Sequence, residues 1–256
     1  MNLNKLLLSL LTALLLSCTA PGPRIIGHRG CRFDGPYENT LASLRYALDA
    51  GVDAVEFDVQ LTSDNKVLVF HGPRIPGLES DIRDTPFAQA RDVVLPGGHR
   101  MPTLEEWFDE ARKDPGIPLI MEIKKQLSPE KEAMLVDLAM EAVGLLKVED
   151  RIEYTSFSER ACDRIMAKDP SAKVIFLASG VYVPTAAWAK EKGYKGISYD
   201  LNGFLNHPEI AAEAKALGIE TTLWLVNDLE VASWARKHGI DYISSDFPQM
   251  HTSIRK

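Results

Sequence analysis

The feature that most constrains this chain is an alternation that recurs from residue 24 almost to the C-terminus. Short apolar runs bounded by Gly, Pro or Asp take turns with longer amphipathic stretches. The runs fall at 24–27, 53–58, 67–70, 117–123, 151–155, 173–177, 196–199, 220–226 and 241–244. The helix-like stretches fall at 40–50, 103–113, 129–146, 158–168, 184–192, 208–217 and 229–237. This is the pattern of a parallel sheet with crossover helices. Ser128 before Pro129, Ser158, and Asn227-Asp228 are helix start signals, and Gly51, Gly193, Gly218 and Gly239 are stop signals.

One connection breaks the pattern. Only about eight residues separate Asp58 from Val67, including Thr62-Ser63-Asp64-Asn65, whereas a parallel crossover needs roughly a dozen or more. The run at 67–70 is therefore expected to return as a hairpin arm. Eight strands remain, each separated from the next by a helix-sized segment. They predict an α/β fold, a TIM (β/α)8 barrel with a β-hairpin and a small insertion at about 72–102 after the second barrel strand. No linker or internal repeat divides residues 24–256, so a single domain is expected there.

The first residues read differently. Met1 to Lys5 carries one positive charge, and Leu6 to Leu16 is apolar apart from Ser9 and Thr12. Such a stretch is too short to anchor as a span but suits a signal h-region. It ends in Leu15-Leu16-Ser17-Cys18, which resembles a bacterial lipobox. The expectation is a lipoprotein-type signal peptide over 1–17, lipidation at Cys18 and a short tether over 18–23. The competing reading is an ordinary signal cleaved near Ala20. Either way the protein is expected to be exported to the bacterial cell envelope. It would be lipid-anchored in the first case, and periplasmic or secreted in the second. Thr19 gives no acidic retention signal.

Net charge is −7, and loss of 1–17 would remove Lys5 and leave −8. An acidic chain is a poor binder of nucleic acid or anionic lipid through its overall field, so any phosphate must be held by local cations. Cys31 and Cys162 are the cysteines beyond Cys18, and both are expected to remain thiols.

Chemistry in such a barrel belongs at the C-terminal ends of the strands. There the sequence has His28-Arg29-Gly30, Glu56-Phe57-Asp58 and Glu122-Ile123-Lys124, with His71 closing the hairpin. Glu56 and Asp58 stand two apart, so both face the same side of the strand. Alone, they fit exposed carboxylates salt-bridged to Arg or Lys as well as they fit a cation site. With Glu122, His28 and Arg29 the cation reading is favoured, and carboxylate oxygens suit Ca2+ or Mg2+. His28 and His71 could exchange protons near neutral pH. Arg29 offers a planar fork for phosphate, or a salt bridge to Glu56 or Asp58. Lys124 is either a second phosphate cation or a solvated charge beside Lys125. Gly30 permits a sharp turn. Together these parts describe metal-assisted phosphodiester cleavage.

The same residues resemble the glycerophosphodiester phosphodiesterase family. The matching pieces are Gly27-His28-Arg29-Gly30, Glu38-Asn39-Thr40, the run from Gly51 to Val59, Thr62, Asp64 and Val67-Leu68-Val69-Phe70-His71. Next come Pro102-Thr103-Leu104-Glu105-Glu106, Glu122-Ile123-Lys124, Trp224-Leu225-Val226-Asn227 and Asp246-Phe247-Pro248. The resemblance implies a TIM barrel that hydrolyses glycerophosphodiesters to glycerol 3-phosphate and an alcohol. It implies Glu56, Asp58 and Glu122 as metal ligands, His28 and His71 as the acid–base pair, and Arg29 and Lys124 as phosphate or substrate contacts. Trp224 would be an apolar wall, and Glu38 and Asn39 would support the first loop, Glu38 near the metal or a histidine. Gly72 stands where the family usually has Asp, Cys31 where a small or polar residue is common, and Leu225 where Thr is usual.

Two other functions are compatible with these residues. One is lysophospholipase D or inositol-lipid phosphodiesterase activity, for which an apolar groove formed by Phe33, Tyr37, Trp107 and Phe204 would be the mark. The other is non-catalytic capture of phosphorylated head groups, which would need a damaged histidine pair.

Overall fold

The computed structural model describes residues 22–33 and 35–252. The expected signal peptide, Cys18 and most of the expected tether lie outside the described residues.

The described chain begins with β1 (Arg24–Gly27), α1 (Leu41–Asp49), β2 (Ala54–Leu61) and β3 (Val67–Val69). After these come α2 (Phe87–Asp92), α3 (Leu104–Ala111), β4 (Leu119–Ile123), α4 (Pro129–Leu146), β5 (Ile152–Ser156) and α5 (Glu159–Lys168). The remainder is β6 (Lys173–Ala178), α6 (Ala186–Glu191), β7 (Gly196–Asp200), α7 (Leu201–Asn206), α8 (Ile210–Leu217), β8 (Glu220–Trp224), α9 (Leu229–Lys237), β9 (Tyr242–Ser245) and α10 (Pro248–Thr252).

Eight strands pair in parallel in the order β1-β2-β4-β5-β6-β7-β8-β9, and β9 returns to β1, which closes the barrel. The fold is a TIM barrel. β3 is the extra strand. It pairs antiparallel to the far end of β2, with Val59 opposite Val69 and Leu61 opposite Val67. The short connection thus made a hairpin, as its length required.

Local signals set the helices. Thr40, Thr103, Ser128, Ser158 and Asp228 each accept a hydrogen bond from a first-turn backbone N–H. Most of the apolar core lies between the strands and the helices, where Leu44, Phe57, Met121, Leu135, Val174 and Ile197 are buried. Phe57, between Glu56 and Asp58, turns outward and stacks on Trp107. A second apolar cluster joins Leu68 and Phe70 of the hairpin to Ile75, Ile82, Ala90, Leu95 and Met101 of the following segment. That segment, which showed no period in sequence, contains α2 and two single turns of 3-10 helix. α7 was also not anticipated. It is short, contains Gly203, and starts because Asp200 Oδ1 accepts from Gly203 N at 2.9 Å.

The barrel's two ends differ. At the N-terminal end Lys173 bridges Glu153 at 2.9 Å and Glu220 at 2.5 Å beneath Tyr242, plugging the bore with paired charge. The C-terminal end is open.

Candidate active site

A cavity of about 210 Å3 opens at the C-terminal mouth. Its walls include His28, Arg29, Glu56, His71, Glu122, Lys124 and Trp224. Asp58 lies directly behind, fully buried. Eight residues singled out from sequence therefore converge in space, although they come from five strand ends.

β2 supplies the centre. Period two turns Glu56 and Asp58 to the inside, and register places Glu122 of β4 beside Asp58. Carboxylate oxygens of Glu56, Asp58 and Glu122 lie within 4.8 Å of one another. Burial, together with the charges of Asp58 and Glu122, raises Glu56 well above the usual carboxylate range. Burial and the Asp58 charge push Glu122 up to about 7. At Asp58 burial acts in the same direction, but Lys124 and Arg29 outweigh it and hold this carboxyl well below the usual range. Lys124 Nζ donates to Glu122 Oε1 at 2.7 Å and lies 3.3 Å from Asp58 Oδ1. It is no solvated surface charge.

Glu56 Oε1 and Asp58 Oδ1 are buried without a hydrogen-bond partner among the described residues. Buried carboxylate oxygens are costly unless paired. Asp58 Oδ1 has the Lys124 ammonium 3.3 Å away, whereas Glu56 Oε1 has no such charge partner; three converging carboxylates with such an oxygen fit a hard divalent cation, whose ligands are oxygens.

The first loop holds the cations. Arg29 and Asn39 both adopt left-handed backbone, with φ of 54° and 55°. This turns Arg29 N toward Glu56 Oε2, 2.9 Å away. A Cβ on Gly30, with φ of 79°, would lie 2.6 Å from the Ser43 backbone, so only glycine fits the turn. Arg29 Nη1 donates to both oxygens of Glu38 at 3.0 Å, and its Nε lies 3.3 Å from Asp58 Oδ2. The phosphate and salt-bridge readings of Arg29 thus coexist. Glu38 also pairs with Arg32 at 2.9 Å, so its partners are arginines and not a histidine. Asn39 Nδ2 donates to Asp58 Oδ2 at 2.7 Å, and Asn39 Oδ1 accepts from Asp58 N at 3.1 Å.

The two histidines flank β2. His28 Nδ1 lies 2.7 Å from Asp246 Oδ1, and its Nε2 is 3.9 Å from Glu56 Oε2. Burial lowers the His28 value, with the Asp246 hydrogen bond opposing it. Burial likewise lowers His71 to about 4. The His71 carbonyl accepts from Gln60 Nε2 at 2.8 Å, and Gln126 Nε2 donates to both Gln60 Oε1 and the Lys124 carbonyl. The hairpin end is thereby tied to β2 and to the loop after β4. Gly72 has φ of 65°, and a Cβ there would meet Gln60 Nε2 at 2.9 Å. Glycine at this position is what the backbone demands.

Trp224 Nε1 donates to the Ser198 carbonyl at 3.1 Å, and the ring meets Phe157 edge-on at the cavity wall. The four aromatics considered for an apolar groove do not form one. Trp107 and Phe204 are in the core, Tyr37 packs on the hairpin cluster, and Phe33 is exposed and stacks on Phe247.

Sequence reasoning gave no role to Asp246 or Asn227, although both lie in matched motifs. Asn227 Nδ2 donates to Asp246 Oδ2 at 2.8 Å, and Asn227 Oδ1 accepts from Asp246 N at 2.9 Å. An acidic residue just past the last barrel strand was the available signal. Cys31 is buried, and its thiol reaches the Asp246 carbonyl at 3.5 Å. Neither Cys31 nor Cys162 is in a disulfide.

The fold and site are those of a barrel hydrolase with a mixed acidic and cationic mouth. The sequence profile of the glycerophosphoryl diester phosphodiesterase family matches residues 28–250, and the chain belongs to that family; it is a phosphodiesterase. A glycerophosphodiester phosphodiesterase of Caldanaerobacter subterraneus is 27% identical over 238 residues, covering 88% of this chain and 94% of the relative. The crystal structure of a glycerophosphodiester phosphodiesterase from Parabacteroides distasonis superposes with a TM-score of 0.86 at 30% identity, covering 92% of this chain and 97% of that one. The barrel is shared with an Oleispira antarctica phosphodiesterase solved in complex with the product sn-glycerol-3-phosphate. There the TM-score is 0.80 at 23% identity, with 91% and 96% covered.

Proposed function

We propose that this phosphodiesterase hydrolyses glycerophosphodiesters to glycerol 3-phosphate and an alcohol, using a divalent cation and two histidines. The observation that carries the reading is the convergence of Glu56, Asp58 and Glu122 between His28 and His71, with Glu56 Oε1 buried and unpartnered. The Oleispira antarctica relative's bound product supports the substrate class.

In this reading Glu56, Asp58 and Glu122 hold Ca2+ or Mg2+, which when bound neutralises charge developing on a phosphoryl oxygen. Arg29 and Lys124 hold the remaining phosphate oxygens. Asp246 is held ionised, since His28 and Asn227 together outweigh its burial. It therefore accepts from Nδ1–H of His28, which leaves Nε2 unprotonated on the cavity side as the base. His71, which burial keeps unprotonated when no substrate is bound, acts as the acid once the negative phosphate beside it favours its imidazolium, and it then donates to the departing alcohol. Both histidines are present and both line the cavity, which disfavours non-catalytic head-group capture.

The test is release of glycerol 3-phosphate from a panel of glycerophosphodiesters with Ca2+ or Mg2+ and an EDTA control. Turnover that resists EDTA would remove the cation from the mechanism. No product from any head group would end the hydrolytic reading.

Export and a lipid anchor at Cys18 are part of the same proposal and rest on residues 1–18 alone. Labelled palmitate should enter the wild type and not Cys18→Ala. Equal labelling would refute it.

A further inference from the structure

The insertion ends in Gly97-Gly98-His99-Arg100, which the reaction described above does not use. Leu95 N donates to the His99 carbonyl at 2.7 Å and closes this turn. Beside it lies a cavity of about 300 Å3 that shares no residue with the catalytic one. Arg45 of α1, Arg91 of α2, and His99 and Arg100 of the turn form its walls, with Glu106 of α3.

Three guanidinium groups and one carboxylate thus meet in one concavity, in a chain whose net charge is −7. The carboxylate is already neutralised. Arg91 donates to Glu106 Oε2 at 2.8 Å and to Oε1 at 2.7 Å, and Thr103 N donates to Oε2 at 2.9 Å. Arg45 holds Glu110 through Nε at 2.7 Å and Nη2 at 3.0 Å, but Lys113 pairs with the same carboxylate at 2.9 Å. Arg45 Nη1 has no acceptor among the described residues. Arg100 Nη1 donates to the Arg91 carbonyl at 2.7 Å, which fixes the side chain, and this guanidinium has no carboxylate partner among the described residues. The His99 ring has no hydrogen-bond partner there either. The cavity therefore carries an excess of positive charge and of unused N–H donors.

We propose that this cavity is a second anion site, which takes a phosphate group as inorganic phosphate or as a monoester. Guanidinium forks engage the oxygens of a phosphate two at a time, and Arg45 and Arg100 offer free donors from two different elements. A volume of about 300 Å3 is that of a small-molecule site and admits no helix or strand of a partner. The site does not depend on the hydrolytic reading, which concerns the other cavity.

The test is calorimetric titration of wild type and of H99Q/R100Q with inorganic phosphate and, separately, with sn-glycerol 3-phosphate. About 0.15 M sodium chloride screens diffuse attraction beyond about 8 Å. Wild type should show a phosphate-binding event that the double variant weakens by at least about tenfold, the effect of losing a charge-assisted hydrogen bond. Binding at the catalytic cavity and the kcat of the variant should match wild type. Weakening with both titrants extends the site to monoesters, and weakening with inorganic phosphate alone confines it to the free anion. Isotherms of the double variant that match wild type with both titrants overturn the site. Should the double variant not fold, Arg45→Gln must weaken the same event, and an unweakened event there has the same force.

Discussion

His28 Nδ1 lies 2.7 Å from Oδ1 of Asp246, so the residue that follows the first barrel strand is tied to the residue that follows the last. Barrel closure brings β9 beside β1, and the pair spans 218 positions of sequence. Asn227 braces Asp246 from the end of β8.

Asp246→Asn should remove the acceptor that keeps the proton on His28 Nδ1. An amide there can donate instead and favour the wrong tautomer. We expect kcat for glycerol 3-phosphate release to fall by at least about 10²-fold, with KM little changed. Wild-type kcat in the folded variant would remove the His28–Asp246 pair from the mechanism.

Asn39→Ala should act on the cation. Asn39 fixes Asp58 through side chain and backbone together. Loss of a residue that orients a ligand typically costs about 10–100-fold in metal affinity. The cation concentration for half-maximal activity should rise by that factor, and saturating cation should restore most of the rate. An unchanged titration midpoint would refute the role.

Gly72→Ala should destabilise the fold. A side chain at φ of 65° costs about 1–2 kcal/mol, and the added Cβ would press on Gln60. The urea midpoint should fall accordingly. A midpoint equal to wild type would show that this hairpin end relaxes without cost.

Glu110 couples stability to pH. Hydrogen bonds from Arg45, then Lys113, lower its carboxyl from an ordinary 4.5 to about 2. A lowered carboxylate stabilises the fold above its unfolded value, and that contribution is lost as pH falls through the folded one. Glu110→Gln should therefore lower the unfolding free energy from urea titration at pH 7, by less than about 1 kcal/mol because both basic partners are largely exposed. The gap to wild type should narrow as pH drops from about 5 toward 2. A gap that stays constant across that range would contradict the assignment.

Much of this protein is readable along the chain because its determinants are local. Apolar runs and capping residues such as Thr40, Ser128 and Ser158 mark strands and helices where they stand. The short link after β2 excludes a crossover. Period two puts Glu56 and Asp58 on one face before any fold is known. α7 escaped notice because one Asp200 cap is enough to start a six-residue helix around Gly203. The inner helices between β3 and α3 escaped because they are held by contacts with Leu68 and Phe70 and show no periodicity of their own.

The sequence by itself determined the barrel, the hairpin and the identity of the charged groups at the strand ends. Tertiary structure alone decided which oxygen of Asp58 faces Lys124 and which faces Asn39, that Asp246 orients His28, and that Arg45 and Arg100 border one cavity. The physical reason is range. Hydrophobic period, turn chemistry and capping act over a few residues, whereas hydrogen bonds and charge pairing at the mouth depend on closing eight strands in one register.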